Sequence, residues 1–181
     1  ERIWKEIEFR LEGEDYSLLN PNLIVDGADN TFFVVDSGNM KIYKYDFEEN
    51  KLQSYGKGIG RGPGEFLNII DLEIGAGQTI WSLDSELLRI TIFQENGEFN
   101  IYNIKERAFR FMPVKTDEVL LKTWYQSNPY ISNLDGNLIL RFQPFVNNTQ
   151  LWSHIVSGNF DADEKGIIRV NFRTGNMIRY N

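Results

Sequence analysis

The sequence predicts an all-β fold. Its apolar stretches are short and are separated by pairs of Asp, Asn, Gly or Glu residues, and no long segment has the 3.6-residue apolar period of an amphipathic helix. Tyr, Phe, Ile and Val, which favour strands, are frequent, and 15 glycines against 5 prolines supply turns. We therefore expect a succession of short antiparallel strands joined by tight turns.

Length and charge limit the function classes. At roughly 150 residues per domain, 181 residues correspond to one domain or to part of one. The formal net charge of −7 disfavours an RNA-binding module, which would show a basic surplus or a basic stripe. The chain has no cysteine and a single histidine, so disulfides, thiolate zinc sites, thiol catalysis and sites built from several histidines are excluded.

Two adjacent segments form the first predicted hairpin, and residues 3–10 are expected to form a leading strand ahead of it. Thr31–Asp36 is a compact apolar run with Asn30 before it and Ser37 after it, which is typical of a buried strand closed by a tight turn. Residues 41–47 alternate polar and apolar side chains and are predicted to be its antiparallel partner.

The same pattern returns 48 residues later along the chain. Residues 79–85 repeat residues 31–37 position for position. Residues 90–93 repeat residues 42–45 at the same offset of 48. A repeat of about 40 to 50 residues that holds four short strands is the period of a β-propeller blade.

A third and more divergent copy is predicted after the second. Its innermost strand is expected at residues 119–125 and a buried strand at residues 138–142. A longer outer pair, at residues 152–160 and 167–172, flanks a turn at residues 161–166. The sequence therefore predicts about three blades of four antiparallel strands plus the leading strand. These blades occupy residues 18–56, 66–105 and 117–180.

Three blades do not close a ring. Closure removes the exposed sheet edges, and propeller rings hold roughly four to eight blades. Two interpretations stay open. Residues 1–181 form either part of a larger propeller domain, completed by further sequence or by another chain, or a compact four-bladed ring in which the leading strand is completed near Arg179.

The segment between the first two blades, YGKGIGRGPGEF at residues 55–66, carries a specific resemblance. It resembles the GxGxGPGEF junction of NHL-type propellers, and especially of the secreted six-bladed, TolB-like propeller proteins common in Bacteroidetes. The blade core at residues 32–46 and the NGEF strand end at residues 96–99 are also similar to that family. The resemblance implies a six-bladed ring of which this chain is the N-terminal half. It also implies an exported protein, periplasmic or attached to the cell surface as a lipoprotein.

The glycines of this segment could suggest a phosphate-binding loop. They alternate strictly at positions 56, 58, 60, 62 and 64, so neither GxGxxG nor GxxxxGK[ST] fits them. Strand-like residues follow, which leaves no helix N-terminus to hold a phosphate. We predict a structural connection between blades in which the glycines adopt positive φ angles, with Arg61 and Glu65 near the rim of a binding face.

No metal site and no catalytic residue are predicted. Residues 161–166 begin like a calcium loop, but a lysine occupies one ligand position and Phe172 replaces the bidentate glutamate, so a hairpin turn is the better interpretation. Asp36 and Asp84 recur once per blade, as turn-capping residues would. His154 alternates with apolar residues and is expected on a strand, half-buried or at the surface.

Aromatic side chains supply the first choice for a ligand-binding surface. Trp81 lies in a central strand and is predicted to pack between blades. Trp124, Tyr125 and Tyr130 differ, because they follow an innermost strand into a loop that contains a proline. Innermost strands and their loops line the central channel, and amphipathic rings are common at contact surfaces. These three residues are therefore predicted ligand-binding positions.

Acidic charge, the absence of cysteine and the family resemblance favour a non-catalytic binding or scaffolding propeller over an enzyme. Its expected partner is a glycan, a peptide or a protein, with no cofactor and no nucleic acid. The alternative is a hydrolase or lyase that uses carboxylates and asparagines around a divalent metal in the central channel. No apolar run approaches the ~18 residues that a transmembrane helix needs.

Overall fold

A computed structural model describes residues 18–27, 30–123, 129–141, 159–162, 168–171 and 177–179 of the chain. The fold is all-β, as the sequence predicts: apart from one 3-10 turn at Ala76–Gln78, every regular element of the described residues is a strand. Three sheets have four strands each, and a fourth sheet has three. The leading strand predicted at residues 3–10 lies outside the described residues.

The three four-stranded sheets are antiparallel meanders in which each strand pairs with the next along the chain. The first blade consists of β1 (Pro21–Asp26), β2 (Thr31–Asp36), β3 (Lys41–Asp46) and β4 (Lys51–Tyr55). The second consists of β5 (Ile69–Ile74), β6 (Ile80–Asp84), β7 (Arg89–Phe93) and β8 (Phe99–Asn103). The third consists of β9 (Ala108–Lys115), β10 (Glu118–Thr123), β11 (Tyr130–Asn133) and β12 (Leu138–Arg141). This strand order confirms the predicted fold class, an all-β chain of four-stranded antiparallel blades.

The third blade differs from its prediction in which strand lies innermost. Residues 119–125 are predicted as the innermost strand, but β9 occupies that place, and residues 119–123 belong to β10, the second strand. The prediction of a buried strand at residues 138–142 is also wrong, because β12 is the outermost strand and its leucines and isoleucine are exposed. A short apolar run is compatible with either place, and periodicity alone does not distinguish them.

The C-terminal strands form a sheet of their own. They are β13 (Asn159–Ala162), β14 (Ile168–Asn171) and β15 (Met177–Arg179). The sequence predicts an outer pair of the third blade at residues 152–160 and 167–172, with a turn at residues 161–166. β14 lies within the second of these predicted strands, whereas β13 includes Asp161 and Ala162 of the predicted turn. They do pair with each other in antiparallel fashion, but β14 then pairs with β15, and the third blade is complete without them.

Successive blades pack face to face, so each buries an apolar face that a lone sheet would expose. The core between the first two blades contains Phe33, Val35, Ile42, Phe66, Leu72 and Phe93. The core between the second and third contains Trp81, Leu83, Ile92, Phe111, Val119 and Leu121. Trp81 is 4% exposed, which confirms its predicted packing role. The first strands of neighbouring blades, β1 with β5 and β5 with β9, are in contact.

Each blade has a β-bulge at the same place in its first strand. Pairing with the second strand skips one residue immediately after Pro21, Ile69 and Ala108. The partners of these three residues are Asp36, Asp84 and Thr123. A bulge bends its strand and increases the local twist. All three blades therefore share the same repeated backbone structure, although the sequence of the third has diverged.

Asp84, at the end of β6, is fully buried and accepts four backbone hydrogen bonds. Two come from Leu67 and Asn68, ahead of β5, at 2.7 and 3.3 Å. Two come from Glu86 and Leu87, in the next turn, both at 2.9 Å. The carboxylate thus caps the turn, as predicted, and also ties the second strand to the chain that leads into the first. We call this arrangement the carboxylate clamp.

Asp36 forms the same clamp in the first blade. It accepts hydrogen bonds from the backbone N–H groups of Leu19, Asn20 and Gly38 and from the side-chain amide of Asn39. Each donor residue lies 48 positions before its counterpart at Asp84. Burial raises the pKa of Asp36, but these hydrogen bonds outweigh burial and hold the pKa below its usual value.

Replacing Asp84 with alanine is expected to lower the free energy of unfolding by about 2 to 4 kcal/mol, because buried backbone donors lose their partner. Urea unfolding at neutral pH, followed by tryptophan fluorescence, measures the loss. Asp46→Ala is the matched control, since Asp46 also accepts turn hydrogen bonds, from Glu48 and Glu49, but at an exposed turn where water replaces it. Equal losses in the two variants would contradict the role of the clamp.

Candidate functional site

The glycine-rich segment folds into a closed loop between the first two blades. The backbone N–H of Lys57 donates to the carbonyl of Gly64 at 2.7 Å, and that of Phe66 donates to the carbonyl of Gly58 at 2.9 Å. Gly56, Gly58 and Gly64 have the predicted positive φ angles, at 89°, 98° and 80°. The loop is therefore a structural connection, and its last residue, Phe66, is buried in the core between the blades.

The carboxylate of Glu65 explains why the two remaining positions of this loop, 60 and 62, are occupied by glycine. Its Oε2 accepts a hydrogen bond from the backbone N–H of Gly62 at 2.7 Å. A Cβ atom on Gly60 would overlap with that oxygen, and one on Gly62 would lie 3.0 Å from it. Glycine at both positions leaves room for the carboxylate, so Glu65 holds the loop in its conformation.

Arg89 in β7 fixes the loop from the side of the second blade. Its guanidinium group donates to the carbonyl oxygens of Arg61, Gly62 and Glu65, and it lies 5.9 Å from the centre of the Phe66 ring. The Arg61 side chain is exposed at the loop surface. Of the two predicted rim residues, Arg61 is therefore exposed to solvent, whereas Glu65 is hydrogen-bonded within the loop.

Tyr130 is the described member of the three predicted aromatic positions, since Trp124 and Tyr125 lie outside the described residues. It begins β11, so the segment before it joins the second strand to the third and does not follow an innermost strand. The Tyr130 ring is buried, with the Arg141 guanidinium 4.8 Å from its centre. Arg141 pairs with Glu106 at 2.6 Å, and all three residues line a pocket of about 260 Å³.

A larger groove, with a volume of about 820 Å³, lies between the second and third blades. It occupies the end of the blades that carries the β5–β6 and β7–β8 connections, opposite the carboxylate clamp. Its polar lining consists of Glu73, Thr79, Gln94, Asn100, Lys115 and Thr116. Its aliphatic lining consists of Ile74, Ile92, Met112, Val114 and Leu134. We call this cavity the interblade groove.

Two carboxyl groups of β5 lie beside the third blade. Asp71 is buried, and its Oδ2 accepts a hydrogen bond from the backbone N–H of Phe111 in β9 at 2.9 Å. Burial raises the pKa of Asp71 to about 6, against the opposing effects of that hydrogen bond and of Arg110. Glu73 is half-buried and lines the interblade groove; burial and then the charge of Asp71 raise its pKa to about 7. At neutral pH such a carboxyl group can donate or accept a proton.

Sequence reasoning misses Asp71 and Glu73. A signal is present, because these two carboxylates interrupt the otherwise apolar β5, and buried charged residues are rare unless paired. Within the described residues, no cluster of three or more His, Cys, Asp or Glu side chains has the geometry to hold a metal ion. The groove therefore offers a titratable carboxyl group, amide and hydroxyl side chains and an aliphatic wall.

No protein-family model matches the sequence, and no curated protein matches it. Solved structures do match the fold. A protein of Bacteroides fragilis described as exported has a TM-score of 0.64 and 13% identity, covering 95% of this chain and 53% of its own. Virginiamycin B lyase from Staphylococcus aureus has a TM-score of 0.59 and 9% identity, covering 91% and 56%. The extracellular domain of a hybrid two-component system from B. thetaiotaomicron has a TM-score of 0.59 and 12% identity, covering 96% and 24%.

These similarities show the fold alone. The matched proteins are β-propellers, and this chain has the same architecture of propeller blades. The chain spans slightly more than half the length of the first two and about a quarter of the third. Among the described residues, no helix is both long enough and apolar enough to cross a bilayer.

Gly60→Ala is expected to cost about 1 kcal/mol of stability, because the new methyl group displaces the Glu65 carboxylate and breaks its hydrogen bond. The same substitution in a Glu65→Ala background should cost almost nothing further. A double-mutant cycle by urea unfolding measures this coupling. Additive losses in the double variant would show that the carboxylate does not set the glycine requirement.

Glu73 makes stability fall as pH rises. Its pKa is 4.5 in an unconstrained chain and about 7 in the fold, so the contribution of the neutral carboxyl group is complete below pH 4.5 and is lost as pH approaches 7. Glu73→Gln, which keeps the site neutral, should gain stability relative to the parent protein across this range. Urea unfolding at a series of pH values measures the difference. Glu98→Gln, at an exposed position, is the control for the loss of one charge. A stability difference between Glu73→Gln and the parent protein that does not change with pH would rule out the raised pKa of Glu73.

Proposed function

We propose that this chain is part of an extracytoplasmic β-propeller module that binds or scaffolds a glycan, peptide or protein partner and is not itself catalytic. The observation that carries this proposal is the interblade groove, whose volume of about 820 Å³ lies within the range of ligand-binding clefts and whose lining combines apolar and polar side chains. The carboxylates of Asp36, Asp84 and Glu65, in contrast, are engaged in structural hydrogen bonds.

We further propose a six-bladed ring of the NHL or TolB-like type in a secreted lipoprotein, in which residues 1–181 belong to a single propeller domain. The motif at residues 55–66 supports this proposal. So does the fold similarity to an exported protein and to an extracellular domain. The remaining blades would come from further sequence or from another chain.

Arg61, Trp124, Tyr125 and Tyr130 stay proposed ligand contacts of this module. Exposure of the Arg61 side chain supports a contact role. For Tyr130 the support is its place in the pocket of about 260 Å³ beside the Glu106–Arg141 ion pair. Glu65 belongs to the same proposed set, but its carboxylate would have to leave Gly62 to reach a ligand.

A metal-dependent hydrolase or lyase is the second candidate. Two observations favour it: the fold similarity to virginiamycin B lyase, and the pKa of Glu73, which suits a general acid or base near neutral pH. In this candidate, carboxylates and asparagines lining the central channel would hold a divalent metal ion.

The two candidates differ in their response to metal ions. For the binding module, millimolar calcium, magnesium, manganese or zinc should leave the melting temperature unchanged. A panel of oligosaccharides and peptides should contain a ligand that raises it, since a ligand at a hundredfold excess over its Kd stabilises a protein by about 2.7 kcal/mol. Mass spectrometry should then recover that ligand chemically unchanged.

Two results would contradict this proposal. Saturable stabilisation by a divalent ion that EDTA reverses would support the second candidate. Recovery of the stabilising ligand as a cleaved or eliminated product would do the same, because a binding module leaves its ligand intact.

A further inference from the structure

The interblade groove has walls of different chemistry. The aliphatic side chains of Ile74, Ile92, Met112, Val114 and Leu134 line it. Gln94 and Asn100 are exposed along the same groove, on the side of the second blade. Amide side chains pair readily with the N–H and C=O groups of a peptide backbone. The groove thus combines apolar contact surface with donors and acceptors suited to an extended chain.

Its aromatic residues do not form a platform for a sugar ring. Trp81 is 4% exposed, and its indole N–H is already bonded to Thr79 at 3.0 Å. Tyr102 is half-buried against the core of the second and third blades. Stacking requires an exposed ring face, so the lining favours an extended peptide with apolar side chains over an oligosaccharide.

Charge at the inner end of the groove selects among peptides. Glu73 lines the groove there, and Asp71 on the same strand lies beside it. The charge of Arg110 in β9, an exposed residue, lowers the pKa of both carboxyl groups against the larger effect of burial. Lys115, also in β9, lines the same groove and pairs with Glu118 at 2.8 Å. A basic group placed on Glu73 would relieve the repulsion between the two carboxylates. The net charge of −7 favours the approach of a basic ligand.

We propose that the interblade groove binds an extended peptide segment in which a lysine or arginine side chain sits on Glu73 and flanking apolar side chains pack on the aliphatic wall. This inference rests on the proposed binding function and assigns it a site and a ligand class. Nothing in it requires a reaction, because both the ion pair and the apolar contacts are reversible.

Libraries of nonapeptides with lysine, norleucine or glutamate fixed at the centre and mixed residues elsewhere test the proposal in buffer of physiological ionic strength. A peptide selected from the lysine library is labelled, and its displacement from the protein is followed by fluorescence anisotropy. The lysine library should displace this peptide at a concentration at least tenfold lower than the norleucine library. Glu73→Gln should weaken the binding of that labelled peptide about tenfold. In the parent protein, the affinity for the peptide should also fall about tenfold from pH 8 to pH 6, because a carboxyl group with a pKa near 7 becomes protonated over this range.

Matched variants separate this site from general acidity. Glu98→Gln removes the same charge from an exposed neighbouring turn and should change the affinity less than twofold, whereas Gln94→Ala, in the groove, should weaken binding. Equal competition by the lysine and norleucine libraries, or unchanged binding by Glu73→Gln, overturns the proposal. If only neutral oligosaccharides bind, the peptide assignment fails while the binding function stands. If no ligand of any class binds, the binding function fails as well.

Discussion

The buried carboxylates that end β2 and β6 fix the register of the first two blades. Each clamp holds the last residue of the second strand to the backbone that leads into the first strand. A slip of one residue between these strands would exchange their two faces. Leu83 would then turn away from the third blade and Ile80 away from the first, and neither interblade core could form. The packing of the first two blades against their neighbours therefore depends on a polar contact at one end of each of these two sheets.

The two interblade junctions are closed by different means. Between the first and second blades, a long loop inserts Phe66 into the core and is secured by Arg89 and Glu65. Between the second and third, the linker is short and Ile104 enters the core. There Asp71 satisfies a backbone N–H of β9 and joins the inner strands. That hydrogen bond holds the second junction together beside the interblade groove. Glu73, two residues further along β5, lies next to the buried carboxylate that accepts this hydrogen bond.

Local sequence patterns predict the hairpins of the first two blades, because their turns and apolar alternation lie within a few residues of each other. The third blade is harder to predict. Thr123 replaces the clamp aspartate there, and the exposed apolar residues of β12 imitate a buried strand. The capping role of Asp36 is predictable from its repetition. The environment of Glu73 is not, since it depends on burial and on the charge of Arg110, which lies some 40 positions along the chain.

The clamp also bears on the order of assembly. Asp84 and the farthest of its donors are 17 positions apart, and all strand pairs within a blade join consecutive strands. Contacts that are local in sequence form early, so each blade can close soon after it leaves the ribosome. A newly closed second blade would then present Trp81 and Leu83 to solvent until the third is synthesised. The nascent chain is most exposed to aggregation and to chaperones during those intervals between blades.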